Sequence, residues 1–416
     1  MKRTIVVGAG AIGLACAYAL RQRGRDVLVI DKGLPGEGAS KGNAGWITPS
    51  ISAPIPAPGL TWTSLKWMLR SDSPLYIAPT AAPRLARWLW RFWRYCNRQD
   101  FLRGLTLMAE LNSTTLKAFD ALEADGVKFE LHRQGLLFVF MGEQYLQNTL
   151  HEFDYYQRYG YVVPSPISGR ELRQLEPGLS EEIHGGFLVK EEYHIRPETL
   201  TTGYVQRLEE LGVEVRTGVE VRGAVVSGDR VTGVETSAGN MTADEVLVAA
   251  GAWSGQVLEP FGRSLPVQAG KGYSITVNGG AAPQLTRPLY LGEARIGVTP
   301  FDGDAVRFAG TMELSGINTY FDARRVRGIR KGIDRYLSAK IDPGIGTEWV
   351  GMRPLTPDGL PMLGLVPGFR NVYLATGHAM LGITLAPVTG NVMADAMTGN
   401  SAPDSLAPFD PGRFNW

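Results

Sequence analysis

The chain begins with a β-branched apolar run, Thr4-Ile5-Val6-Val7, followed at once by Gly8-Ala9-Gly10-Ala11-Ile12-Gly13 in the spacing G-x-G-x-x-G. A helical apolar pattern through Leu14, Ala17 and Tyr18 leads into a second strand, Asp26 to Ile30, which ends on Asp31. Strand, glycine turn, helix, strand and acid in this order define a βαβ unit that holds a dinucleotide. Gly8 permits the tight turn, Gly10 lets a pyrophosphate approach the backbone, and Gly13 lets the helix pack close on the strands. The phosphates then meet the free N–H groups at the positive end of the helix, around Ala11 and Ile12. Asp31 is placed to accept hydrogen bonds from a ribose 2′-OH and would repel a 2′-phosphate, so the motif predicts NAD or FAD rather than NADP.

At 416 residues the chain exceeds the size at which a single core stops growing, and two domains are expected. A net charge of +1 gives no general attraction to nucleic acid. The only cysteines, Cys16 and Cys96, cannot make a disulfide framework or a cysteine-based zinc site, and no metal is expected. This usage fits a reducing, cytoplasmic setting. The first strand starts almost at Met1, so no leader is expected ahead of the dinucleotide motif.

Past Asp31 and Lys32, a run of small residues from Gly36 to Gly45 ends at Trp46 and lets backbone pass close to a flat or phosphorylated group; a plain surface loop is the other reading. Pro49 to Pro58 then carries four prolines and reads as an extended exit from the first unit. A stretch from Leu60 to Phe101 holds Trp62, Trp67, Trp88, Trp90 and Trp93. Within it Arg84, Arg87, Arg91, Arg94 and Arg98 recur at helical spacing beside an apolar face, so residues 84–101 read as one basic, tryptophan-rich helix. Such a helix suits an anionic membrane surface, and equally suits packing on a domain with its arginines in water. That leaves a peripheral place on the inner face of the cell membrane open.

Helical and strand patterns alternate from Phe101 to Pro177, and a helix follows Pro197. Strands around Val215 and Val221 precede Glu245 to Val248, a buried parallel strand ending in Ala249-Ala250-Gly251-Ala252-Trp253. Alternating strands from Lys271 to Glu313 suggest an antiparallel sheet, and Gly377-His378 to Thr384 opens a last helix.

The N-terminal motif with Asp31, the Ser40 to Gly45 turn, Val248 to Trp253, Gly351-Met352-Arg353-Pro354 and Gly377-His378 through Thr384 stand in the order found in the D-amino-acid oxidase superfamily of FAD enzymes, which the chain resembles throughout. Lys271-Gly272-Tyr273-Ser274 and the Pro- and Trp-rich stretch after Gly45 are most similar to bacterial D-amino-acid dehydrogenases. The resemblance implies an α/β fold: a Rossmann-like, discontinuous FAD-binding domain (1–58, 190–262 and 345–416) and an α+β substrate domain (59–189 and 263–344) whose mixed or antiparallel sheet covers the flavin ring. It implies FAD contacts at Gly8, Gly10, Ala11, Ile12, Gly13, Asp31, Lys32, Ala39, Ser40, Asn43, Ala44, Gly45, Trp46, Val221, Ala249, Gly251 and Trp253. Further contacts fall at Arg353, Gly377, His378, Leu381, Gly382, Ile383 and Thr384.

The activity implied is oxidative deamination of a D-amino acid. A hydride passes from Cα to flavin N5, the imino acid hydrolyses to a 2-oxo acid and ammonia, and the electrons leave to a quinone or another acceptor. A cyclic or secondary amino acid such as cis-4-hydroxy-D-proline, a glycine-oxidase-like activity, and a protein that holds FAD only structurally are the alternatives. Arg353 matches the arginine expected to hold the substrate carboxylate, unless it is spent on Asp358. Tyr273 is either a substrate contact or a sheet aromatic, His378 either a general base or a wall of the cofactor loop, and Lys271 either tunes the flavin or faces solvent. With no cysteine after Cys96, noncovalent FAD is expected.

Overall fold

The computed structural model describes residues 1–59, 75–78, 81–340, 342, 344–400 and 406–414. Trp62 and Trp67 lie outside the described residues. The dinucleotide unit forms as read. Strands Arg3–Val7 and Asp26–Ile30 pair in parallel, joined by helix Ala11–Gln22. They sit inside a six-stranded sheet in the order 214–216, 26–30, 3–7, 245–248, 372–376, 362–365, of which only the last strand is antiparallel. Ile5, Val6, Val29 and Ile30 are fully buried, as strands covered on both faces require. The chain order reverses between Arg3–Val7 and Glu245–Val248, and ligands of such sheets bind at the carboxyl ends of strands flanking that point. Gly390, on the closing helix Ala386–Thr398, lets that helix lie on the first one: a Cβ there would come within 2.5 Å of the Ala15 carbonyl oxygen.

A second, nine-stranded mixed sheet runs 347–355, 268–278, 305–314, 296–301, 289–291, 136–140, 185–189, 167–168, with Leu75–Ile77 alongside the end of 305–314. Here the division expected at residue 345 is corrected. Strand Thr347–Leu355, which carries Arg353, pairs along Gln268–Thr276 and so belongs to this sheet. Backbone pairing decides its place more strongly than position in the chain. One face of the sheet packs Tyr273, Ile275 and Val277 against helix Ala323–Tyr336 through Val326, Ile329 and Ile333. The opposite face, with Gly272 beside Gly351 and Gly270 beside Arg353, looks toward the six-stranded sheet.

The single basic helix expected over 84–101 is two helices, Ala82–Tyr95 and Arg98–Asn112. Asn97 adopts an extended conformation and its side chain accepts the Asp100 amide, capping the second helix. Arg98 therefore starts a new element and leaves the arginine stripe. On the first helix Leu85 and Trp88 are buried, whereas Trp90 and Trp93 are each 55% exposed and the Arg94 guanidinium stacks over Trp90. Among the described residues no helix is long and apolar enough to cross a membrane.

Candidate active site

A cavity of about 950 Å³ lies between the two sheets and runs from the glycine turn at the carboxyl end of Arg3–Val7 to the face bearing Arg353. At one end, Gly8 and Gly13 are glycines for reasons internal to the protein. Gly8 has φ +114°, and a Cβ there would come within 2.5 Å of the Ala249 carbonyl oxygen, while a Cβ on Gly13 would overlap the Gly8 carbonyl. Gly10 differs: a Cβ there meets nothing nearer than the Ser40 hydroxyl at 3.7 Å. The fold alone does not demand glycine at this position, but a ligand pressed on the turn would. No side chain caps the helix N-terminus that follows, although Ser40 Oγ accepts the Ala11 amide. Asp31 accepts from the Ala9 and Gly33 amides, which aims its carboxylate at the turn. Lys32 lies 5.0 Å from the Trp253 ring centre, at the same end of the cavity.

The small-residue run is bound into this cavity by the other sheet. Arg307 donates to the carbonyl oxygens of Lys41 and Asn43 at 3.0 and 2.9 Å and pairs with Glu198. Thr299 Oγ1 donates to the Ala44 carbonyl at 2.7 Å and accepts from the Trp46 indole N–H at 2.9 Å. The turn ahead of the last helix is held by Leu381 N donating to the His378 carbonyl and Leu385 N to that of Leu381. This leaves the amides of Gly382, Ile383 and Thr384, which line the cavity, without a protein acceptor among the described residues. A cradle left open at Gly10 and three amides left open at 382–384 fit the two ends of a flavin dinucleotide.

Of the residues expected to contact it, Gly8, Gly10, Ala11, Ile12, Asp31, Lys32, Ala39, Ser40, Asn43, Ala44, Trp46, Val221, Ala249, Gly251, Trp253, Arg353, His378 and Leu381 to Thr384 line the cavity. Gly13, Gly45 and Gly377 do not, and are corrected to backbone roles. Gly13 packs the helix, while Gly45 at φ +79° and Gly377 at φ +83° turn the chain where a side chain would meet the Ile195 carbonyl or Thr356.

Arg353 sits on the cavity face of Thr347–Leu355. Its Nη1 donates to the Thr311 carbonyl at 2.8 Å, and burial lowers its pKa to about 10, so it is a cation at neutral pH. Asp358 is not its partner: both carboxylate oxygens take the Arg413 guanidinium, at 2.8 and 3.1 Å. Among the described residues Arg353 makes no ion pair. Gly272 makes room for it, since a Cβ there would overlap the guanidinium. Thr311 turns its carbonyl inward by adopting φ +59°, which is strained for a β-branched residue, where the register of 305–314 against 268–278 shifts.

The geometry speaks against the catalytic readings of Tyr273 and His378 and against both readings of Lys271. Tyr273 spends its hydroxyl on Glu313 Oε2 at 2.8 Å, among side chains on the helix face of the sheet. Lys271 neither tunes a flavin nor faces solvent: fully buried, its ammonium donates to Glu313, Asn318 and the Tyr320 carbonyl. His378 borders the cavity, but burial pushes its pKa down to about 3 and its Nε2 contacts Thr389 Oγ1 at 3.0 Å. A neutral imidazole this hard to protonate makes a poor general base. The linkage has a sign: the unfolded chain binds a proton as pH falls through the ordinary histidine value near 6.5, and the folded chain does not until about 3. Stability is therefore lost as pH falls across that window, and His378→Gln is expected to flatten the decline in the urea midpoint between pH 6.5 and 4.5. An unchanged slope would refute this account of His378.

Trp349, whose ring lies over Gly351 and against Gly42, and Thr311 are cavity residues that no motif announced. Away from the cavity, Glu130, His132 and Asp302 place ligand-type atoms within 4.8 Å, but Glu130 Oε1 already contacts His132 Nε2 and accepts from the Asp302 amide.

A doubly wound nucleotide sheet facing a mixed sheet across one long cavity, with a part-buried cation at the far end, defines a two-domain dinucleotide-dependent oxidoreductase. Residues 3–396 match the family model for FAD dependent oxidoreductases, the DAO family, and the chain belongs to that family. It is 32% identical to a D-amino acid dehydrogenase of Bradyrhizobium diazoefficiens over 99% of both chains. In architecture it is similar to glycine oxidase from Bacillus cereus (TM-score 0.76, 24% identity, 98% of each chain). It is also similar to L-proline dehydrogenase from P. horikoshii (TM-score 0.79, 17% identity, 100% of this chain and 98% of the other).

Proposed function

We propose that this protein is an FAD-dependent D-amino-acid dehydrogenase. The observation that carries the reading is the Arg353 guanidinium, part-buried in the cavity wall, held at one corner by the Thr311 carbonyl and without an ion pair among the described residues. A cation in that setting is stabilised by a carboxylate that comes and goes, and its planar fork fixes the orientation of whatever carries that carboxylate. The full-length relationship to a D-amino acid dehydrogenase supports an amino acid as that carboxylate.

FAD bound in the cavity supplies a two-electron acceptor for the substrate α-hydride, and the resulting imino acid hydrolyses to the 2-oxo acid and ammonia. Arg353 holds the substrate carboxylate, Gly272 leaves it room to do so, and the amides of Gly382 to Thr384 stabilise negative charge at the cofactor edge. Neutral His378 closes the wall and moves no proton. The cofactor is held noncovalently, so the flavin is expected in the supernatant after acid precipitation. Assaying D- and L-amino acids, glycine and cis-4-hydroxy-D-proline with a quinone dye and with oxygen tests the reading. Dye reduction by D-amino acids is expected, and a preference for L-amino acids or for glycine with oxygen would replace it.

The electron acceptor is proposed to be reached at a membrane. Arg87 and Arg94 are exposed beside Trp90 and Trp93, and Trp93 also lines the cavity, so the face suited to an anionic bilayer borders the site. Flotation with anionic liposomes is expected and should weaken in Arg87→Glu/Arg94→Glu; equal flotation of both forms would sink the idea.

A further inference from the structure

Next to Arg353 the cavity wall changes character. Leu355 lies two residues on along the same face of the same strand. Met312 follows the Thr311 carbonyl that holds the guanidinium, and the Ala379 amide donates to the carbonyl of Pro354. Leu314 pairs with Ile77, and helix Ala82–Tyr95 lays Trp88, Leu89 and Phe92 over this group to form one apolar cluster. All of these residues line the cavity.

Two polar groups in the wall are spent on backbone carbonyls. The Trp88 indole N–H donates to the Pro266 carbonyl at 3.1 Å, with its ring stacked 5.3 Å from that of Phe92, and the Cys96 thiol is directed to the Phe92 carbonyl. Among the described lining residues the acids and bases besides Arg353 and His378 are Asp31, Lys32, Glu37, Glu220 and Arg295. Asp31 and Lys32 belong to the dinucleotide end, Glu220 adjoins Val221 of the nucleotide domain, and Glu37 is in the small-residue run. Arg295 is solvent-exposed at the start of the neighbouring strand, near Tyr290 and Glu152.

We infer that this wall of Met312, Leu314, Leu355, Ile77, Leu89 and Phe92 is the side-chain pocket of the substrate and selects amino acids with bulky apolar side chains. The inference rests on the amino-acid reading above. Once Arg353 takes the carboxylate, the Cα substituent reaches out from an anchor ringed by these groups. A charged side chain placed there finds no partner among the described residues and loses its hydration, whereas each methylene of an apolar one is withdrawn from water.

The test is kcat/KM of the holoenzyme over a D-amino-acid panel with a quinone dye. D-Leucine, D-methionine and D-phenylalanine should exceed D-alanine by about tenfold and D-aspartate, D-glutamate and D-lysine by about a hundredfold. Leu89→Ala and Met312→Ala should each lower the D-leucine to D-alanine ratio about tenfold. Two variants on separate elements keep the test readable if one folds poorly. Acidic substrates leading the panel would move the pocket to Arg295 and overturn the inference, as would an unchanged ratio in both variants. Failure of every amino acid to reduce the flavin is a different result, and strikes the parent reading instead.

Discussion

Arg353→Leu is expected to lower kcat/KM for the best amino-acid substrate by about a thousandfold, equivalent to about 4 kcal/mol, while the protein still purifies yellow. The size follows from the setting. The guanidinium is part-buried, is a cation despite its lowered pKa of about 10, and among the described residues has one carbonyl partner, at 2.8 Å. A substrate carboxylate would lose its counter-charge in a desolvated place, where leaving one member of a charge pair alone costs about 2–5 kcal/mol. Arg353→Lys keeps the charge and loses the fork, so it should recover only a part of the loss. Benzoate, a carboxylate without an α-hydrogen, should perturb the flavin spectrum of the wild type and not that of Arg353→Leu. Activity within tenfold of wild type in Arg353→Leu would remove the residue from substrate binding.

Gly10→Ala should weaken FAD binding by about a hundredfold or more and leave the melting temperature of the apoprotein where it was. The nearest neighbour of the added methyl is the Ser40 hydroxyl at 3.7 Å, an ordinary contact, so the fold has no reason to object. Gly13→Ala is the control that separates fold from ligand. Its methyl would run into the Gly8 carbonyl, so apoprotein stability and FAD affinity should fall together. Gly8 is no substitute for Gly10, since φ +114° already penalises any side chain there. If Gly10→Ala bound FAD as wild type does, the pyrophosphate would not lie against this turn.

The parts of the site legible in the sequence are those where backbone meets ligand. Gly8 to Asp31 could be read because turn, helix N-terminus and acid each leave a fixed signature at fixed spacing. Arg353 could be read because a family motif carries it, and the structure removes its one rival partner by giving Asp358 to Arg413. Tyr273 stays open between two readings in the sequence for a reason of parity. Successive residues of a strand face opposite ways, and nothing in Lys271-Gly272-Tyr273-Ser274 says which face is the cavity. The structure puts the glycine there and turns the tyrosine to Glu313.

The break at Asn97 was legible but overridden: Asn97 three residues before Asp100 is a capping signal, yet the arginine spacing runs straight across it. The apolar pocket was not legible, because it is assembled from Ile77, Leu89, Met312 and Leu355, which meet only through sheet pairing and the docking of one helix. The inward carbonyl of Thr311 depends on a positive φ that a threonine does not advertise.

One cavity is proposed to hold FAD at its glycine-rich end and to present an amino acid, gripped by Arg353, at the other. Anaerobic addition of D-amino acids to the purified yellow protein tests it directly. Bleaching of the visible flavin absorbance, with one 2-oxo acid formed per flavin reduced, is the predicted result. A colourless protein, or a flavin that no amino acid bleaches, would contradict it.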